Sequence, residues 1–526
     1  VAEAVRHGPV SRGALDDSPG AARYRGITFD QIMSAQLSDQ EVQDATRLVE
    51  LAETVLDDKA ILSGGEAAQS FIELVARTAA LSDEMIARAD NDYRRVRLAQ
   101  MQIWFRTHER AVDPSRLEQL RGLVNDDLLA YIAEISDCGV SLRTDAPPPV
   151  DRTNVRAHSS LEEHETEALL RVWEDFARGG ALICSSESGS ALDDVQCAPM
   201  GRTTKSDDEG FVTDEGRFIY DGSEGGPASV NGKTPVGRHP PAPLPCHIEL
   251  ILYIVWLAVM SPGVPILLAM RDVKAAFKLV AYSLSDCSWF GTRLPCKLMA
   301  ASVAFAAGWT CLLVVFGVMQ FGWTESPGNY CVHGAAISQA HRALGPPNFL
   351  DWSDLAFFSL TYVDDGVVAE PDLGCRASGS CSAYDWALKT VLGPALNLKK
   401  LATTGVLAAV KTVWGLSFDL SGIVDGPQFA FVTLTSSKFI KMTTWAALPS
   451  TQPGVRRVLV KDHQKLVGNV QWWSTCSPAL RSLLPSLYSA SAFAEGQYLD
   501  LPSEAAWLEY DDAKALLLFF IDMGES

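Results

Sequence analysis

Two apolar runs in this chain end on acids, and that restricts the fold more than any other feature. "FFSLTYVDDGVV" (357–368) reads as a buried strand arriving at Asp364 and Asp365 side by side. "PILLAMRDVKAAF" (265–277) reads as a strand over 265–271 that delivers Asp272 at its end. Two carboxylates about 4 Å apart repel by roughly 1 kcal/mol in water and several-fold more where the dielectric is low. A buried strand end carrying such a pair calls for a cation. If the two strands are neighbours in one sheet, the three acids meet at one edge and offer hard oxygen donors suited to Mg²⁺ or Mn²⁺. Two such ions hold an attacking hydroxyl and a leaving pyrophosphate in line, which is the demand of nucleotidyl transfer. Taken singly, the same acids read equally well as turn residues and exposed caps.

The chain has 526 residues, 47% hydrophobic and 21% charged, an ordinary globular balance with room for two to four domains. Its eleven cysteines contain no CxxC pair, so neither a zinc knuckle nor a disulfide framework is expected, and a reducing compartment fits. Residues 1–30 lack the basic start and apolar core of a signal peptide, and the first residue is Val1 rather than Met. The expectation is an intracellular protein, cytoplasmic or nuclear, read here as a fragment. A net charge of −20 argues at first against a nucleic-acid partner, but the charge is unevenly spread. Residues 1–200 hold 35 Asp and Glu against 20 Lys and Arg, whereas residues 389–481 hold 11 Lys and Arg against Asp419, Asp425 and Asp462. One basic segment therefore sits inside an acidic chain.

Apolar residues at three- and four-residue spacing predict helices through 28–136, with Ser38 and Ser82 as N-caps. Residues 138–199 read as a linker with one acidic helix at 161–179, and 184–210 as a loop rich in Ser, Gly and Asp. Strands and helices then alternate to about 430, with helices from Ser326 and from Ser382, so an α+β fold with a mixed sheet backed by helices is expected. The uncharged stretch Leu298–Phe321 reads as two strands, "ASVAF" and "TCLLVVFGVM", joined at Gly308-Trp309 rather than as a membrane span. "ILYIVWLAVM" stops at Ser261-Pro262-Gly263, short of a bilayer, so no membrane partner is expected.

Several pieces in order give the acids a context. "TYVDDGVV" resembles the YxDD hairpin of the reverse transcriptase family, and "RDVKAAFKLV" resembles its motif A. "FGVMQFGWTESPGNY" is similar to motif B, "PALNLKKLATTG" to motif D, "VWGLSFDLSG" to motif E, and "GRFIYDGSEGGPASVNG" to the fingers segment. The tail "HQKLVGNVQWWSTCSPALRSLLPSLY" looks like the thumb of retrotransposon enzymes, most like those of elements mobilised by a tyrosine recombinase. The resemblance implies a polymerase right hand. Fingers and palm would span 200–430 and a helical thumb or connection 431–526, with a separate helical N-terminal region at 1–137. It implies an RNA-directed DNA polymerase acting on an RNA or DNA template with its primer and on deoxynucleoside triphosphates.

Carried over by position, the resemblance makes Asp272, Asp364 and Asp365 the ligands of two Mg²⁺ ions and Lys400 a general acid toward pyrophosphate, with Lys399 one residue away from the same role. Phe277 falls where an aromatic closes the pocket against a 2′-hydroxyl, or it is a core residue. Gly322 and Trp323 would shape the nucleotide pocket, while Phe321 stands where retroviral enzymes have a glutamine. Lys205 and Arg217 fall where fingers residues clasp a triphosphate, or they are solvated surface charges. Arg456, Arg457, Lys461 and Lys465 would contact duplex phosphates, or serve only solubility. Two rival functions share these residues: a decayed or domesticated copy that binds nucleic acid without catalysis, and an RNA-templated RNA polymerase, against which Phe277 speaks.

Overall fold

The computed structural model describes residues 26–144, 157–185, 195–206, 212–295, 309, 311–345, 356–424, 430–446, 448–476, 478–493 and 496–525. A capping box opens the first long helix, α1 (Asp39–Ala52): the Ser38 hydroxyl accepts from the Glu41 amide while the Glu41 carboxylate accepts from the Ser38 amide. Helices α2 (Gly65–Arg88), α3 (Tyr93–Thr107) and α4 (Asp126–Cys138) follow. Ser82 caps nothing. The apolar pattern continues through it to Ile86, so it lies inside α2, fully buried, and donates to the carbonyl of Thr78.

The acidic helix expected at 161–179 is present, and a strand that the sequence does not announce follows it. Helix α5 (Glu165–Phe176) leads into strand β1 (Ala181–Ser185), every residue of which is buried. Strands β2 (Met200–Ser206) and β3 (Val212–Tyr220) form an antiparallel hairpin, so the expected loop at 184–210 ends at Met200. Helix α6 (His247–Met260) precedes strand β4 (Ile266–Asp272). Strand β6 (Cys311–Phe316) pairs antiparallel with both β1 and β5 (Gly291–Pro295), giving the order β1-β6-β5. The "CLLVVF" run is thus the central strand of a buried sheet, while "ASVAF" lies outside the described residues. Among the described residues no helix is long and apolar enough to cross a membrane.

Helix α7 (Ser326–Ala343) leads to strands β7 (Ser359–Tyr362) and β8 (Asp365–Pro371), which stand in the order β4-β8-β7, all antiparallel. Helix α8 (Arg376–Leu392) starts six residues before Ser382 because the polar run is satisfied within it: Ser378 and Ser382 donate to the carbonyls of Cys375 and Ser378, and Ser380 to buried Glu370. Gly393, at φ 68°, ends it. The short turn α9 (Leu398–Leu401) precedes a third sheet of β9 (Val410–Val413), β10 (Leu416–Asp419) and β11 (Phe431–Leu434). Four helices complete the chain: α10 (Ser436–Ala446), α11 (Val460–Trp473), α12 (Leu484–Ser491) and α13 (Glu504–Glu525).

The N-terminal helices are not a separate unit. One continuous core runs from Ala45 in α1 through Trp173, Leu182 and Val314 to Tyr384 and Ala395. A second core places α6 against one face of β4-β8-β7 and joins it to β10, and a third lies among α10–α13. Helices α7 and α8 take the opposite face of the β4-β8-β7 sheet, where the ring of Tyr384 lies over Gly366 and its hydroxyl meets that of Thr361 at 3.1 Å. A Cβ on Gly366 would run into that buried ring. Gly366→Ala should therefore destabilise the protein by about 1–3 kcal/mol in urea denaturation, the usual cost of overpacking. An unchanged midpoint would mean that Tyr384 moves freely.

Candidate active site

Strands β4 and β8 set the geometry. Their register runs from Ile266 opposite Pro371 to Asp272 opposite Asp365, so the two acids face each other at the sheet's end. The β7–β8 connection is the two-residue turn Val363-Asp364, and the Asp364 carbonyl accepts from the Val273 amide at 3.0 Å. Val363 has φ 53°, a left-handed conformation that a β-branched residue adopts at a cost of about 1–3 kcal/mol. Ala275 has φ 55° and turns the chain after Asp272 back into the one-turn helix that carries Phe277. Both strained residues flank the acids.

Asp272 is buried and fully engaged. Its Oδ1 accepts from Asn397 Nδ2 at 2.6 Å, its Oδ2 from Lys400 Nζ at 2.7 Å, and its carbonyl from the Asn397 amide at 2.9 Å. Burial pushes the Asp364 carboxyl above the usual carboxylate range, and the charge of Asp272 adds to this. Asp365 is pushed up to about 7, first by burial and then by the charge of Asp364, and it shares a hydrogen bond with Asp272. The cations of Lys400 and Arg217 both act in the opposite direction on Asp364. The three acids thus converge with two basic residues around them. Among the described residues, however, no group of three His, Cys, Asp or Glu side chains stands arranged to hold a metal ion. The donor chemistry suits a hard cation, but the oxygens of Asp272 are occupied from within by Asn397 and Lys400.

The remaining residues sort by environment. The half-buried ring of Phe277 lies 5.9 Å from that of Phe321 and edge-on to Tyr330 at 5.7 Å, while Phe321 is 48% exposed. Gly322 has φ 123° and lies so close to the Tyr220 carbonyl that any Cβ would collide with it. Asn231 holds this turn by donating to the Gly322 carbonyl and accepting from the Thr324 amide, both at 3.0 Å. Trp323 is not a pocket wall: it is 1% exposed, its Nε1 donates to Thr234, and it packs edge-on to Tyr282 and Phe290.

Lys205 is on β2 rather than in a loop, and its ammonium pairs with Glu215 across the hairpin at 2.5 Å. Arg217 is exposed on β3. Arg456, in the segment before α11, is bound to Glu504 and Asp511 of α13, which removes it from the set offered to phosphate. Arg457 stacks over Tyr498 and donates to its hydroxyl. Lys461 and Lys465 lie one turn apart on the exposed face of α11. Sequence reading missed Asn231 and Asn397, since each acts through contacts some 90 to 125 residues away.

No protein-family model matches the sequence, and no curated protein matches it. Among solved structures the chain is similar to the foamy viral protease-reverse transcriptase. One match, a complex with double-stranded DNA, has TM-score 0.44 and 13% identity, covering 78% of this chain and 62% of that one. A second, with an RNA/DNA hybrid, has TM-score 0.40 and 14% identity, covering 77% and 46%. A third, again with double-stranded DNA, has TM-score 0.41 and 13% identity, covering 79% and 73%. The chain thus spans less than two thirds of the length of the first two.

The raised carboxyl of Asp365 makes stability depend on pH. Its value rises from 3.8 in the unfolded chain to about 7, so the fold holds that proton more tightly. The stabilisation is complete below 3.8 and lost as pH rises through about 7. Buried Glu370, also pushed up to about 7, acts with the same sign. Without divalent cations the melting temperature should fall from pH 5 to pH 8, and Asp365→Asn should flatten part of that fall. Parallel curves for the two proteins would place the titration elsewhere.

Proposed function

We propose that this chain is an RNA-directed DNA polymerase, with fingers and palm over 200–430 and a thumb in the C-terminal helices. The observation that carries the reading is the cross-strand meeting of Asp272 with Asp365 beside Asp364, at a sheet end that also faces Lys400 and Arg217. Asp272, Asp364 and Asp365 would hold Mg²⁺ or Mn²⁺, which supplies charge neutralisation for the attacking 3′-hydroxyl and the leaving pyrophosphate. The paired rings of Phe277 and Phe321 form a wall that favours deoxyribose over ribose. Gly322, whose backbone meets the Tyr220 carbonyl too closely for any side chain, would set the turn that presents Phe321 to the nucleotide. Arg217 offers a cation to the triphosphate, and Lys400 a proton toward pyrophosphate.

A second reading, a nucleic-acid-binding protein without catalysis, is favoured by one observation. Both carboxylate oxygens of Asp272 are already engaged, Oδ1 by Asn397 and Oδ2 by Lys400. Primer extension separates the two. The protein should extend a DNA primer on an RNA template with deoxynucleotides and Mg²⁺ or Mn²⁺, and Asp364→Asn should lower the rate to background. Full activity in that variant would defeat the metal reading, and a preference for ribonucleotides would point to an RNA polymerase. Binding without extension by the unaltered protein would establish the second reading.

The duplex interface is narrower than the count of basic residues implies, since Arg456 is occupied by carboxylates. Replacing Lys461 and Lys465 by Gln should flatten the slope of log affinity against log salt by about two units, at roughly 0.9 per phosphate. Arg456→Gln should leave the slope unchanged. The reverse pattern would move the interface away from the exposed face of α11.

A further inference from the structure

Both carboxylate oxygens of Asp272 are held by one short turn. Asn397 is the N-cap of α9: its Oδ1 accepts from the Lys400 amide, its Nδ2 donates to Asp272 Oδ1 at 2.6 Å, and its backbone amide donates to the Asp272 carbonyl at 2.9 Å. Lys400, one turn on, places its ammonium 2.7 Å from Oδ2. A neutral amide and a flexible cation thus share one carboxylate. The amide comes from a residue fixed at three points, two through its side chain and one through its backbone, whereas the ammonium ends a flexible side chain that is 42% exposed and can retract. The ammonium also stands where an oxygen–metal bond to Asp272 Oδ2 would form.

We propose that Lys400 is a resident counter-ion that a divalent cation must displace from Asp272, and that Asn397 is the positioning residue that holds the carboxylate in place during the exchange. This rests on the polymerase reading of the same site. The exchange makes and breaks only ionic contacts: the ammonium leaves Oδ2, a divalent cation takes its place, and Asn397 stays on Oδ1. The freed ammonium remains on the turn fastened to Asp272, so cation entry and release of a mobile lysine are one event. Neighbouring Lys399 is exposed and pairs with neither oxygen of Asp272, which makes it the natural control.

The test is Mn²⁺ binding to the full chain, followed by electron paramagnetic resonance without nucleotide or nucleic acid. Lys400→Met should tighten binding by on the order of tenfold, since it removes both a like charge and a competitor. Lys399→Met removes the same charge without the contact and should change affinity much less. Asn397→Ser keeps an oxygen that caps α9 but cannot reach Asp272, and should weaken binding about 10- to 100-fold, as loss of a group that orients a metal ligand does. Equal effects of the two lysine variants would overturn the displacement, and unchanged affinity in Asn397→Ser would overturn the positioning role. If the unaltered protein binds no Mn²⁺ that Asp365→Asn abolishes, the metal-dependent reading fails and takes this proposal with it. Binding that the Asn397 and Lys400 variants leave untouched defeats this proposal alone.

Discussion

Everything at the candidate site follows from a register. Antiparallel pairing of β4 and β8 puts Asp272 opposite Asp365, and a two-residue turn adds Asp364. A shift of one residue would send every side chain of β8 to the other face of the sheet, so the α6 core and the Tyr384 contact with Gly366 hold the acids in place as much as the sheet does. The repulsion this creates is not relieved by water, since the acids are at least half-buried. It is met by Lys400, Arg217, a hydrogen bond between Asp272 and Asp365, and raised proton affinity at Asp364 and Asp365.

The anchoring extends outward by pairing. Buried Arg271, next to Asp272, forms an ion pair with Asp385 of α8 and donates to the Gly405 carbonyl, so β4 is tied to the helix behind it and to the chain after α9. Lys278, next to Phe277, reaches Asp175 of α5 and Gln320 before Phe321, both within 2.6 Å. A buried pair of this kind is worth little as net stability, but removing one partner strands a charge. Phe277 and Phe321 are therefore positioned in part from α5, which forms where the sequence places an acidic helix.

Legibility tracked the range of the interactions involved. The strand ending at Asp272, the helix from Ser326 and the Ser38 capping box are written in consecutive residues, and each forms close to where the pattern places it. Ser82 carries the same local cap signal, yet the apolar stripe around it continues and the helix wins. The polar run before Ser382 suggests a loop because nothing nearby shows that Glu370 will accept from Ser380. Arg456 reads as a free cation until α13 brings Glu504 and Asp511 to it from about 50 residues away. Trp323 follows a glycine in a motif-like turn, and only the closed sheet-and-helix core reveals that its ring is enclosed.

The shared core has a consequence for synthesis. Strand β1 is flanked on one edge by β6, with Ala181 opposite Phe316, so the apolar surface gathered by α1–α5 cannot close until that later strand emerges. At usual translation speeds the intervening segment takes roughly 7–26 s to appear. Until then β1 has no partner strand, and its backbone amides and carbonyls stand unpaired between apolar side chains. An unpaired strand of this kind is a template for pairing with another chain, so the arrival of β6 both closes the sheet and removes that hazard.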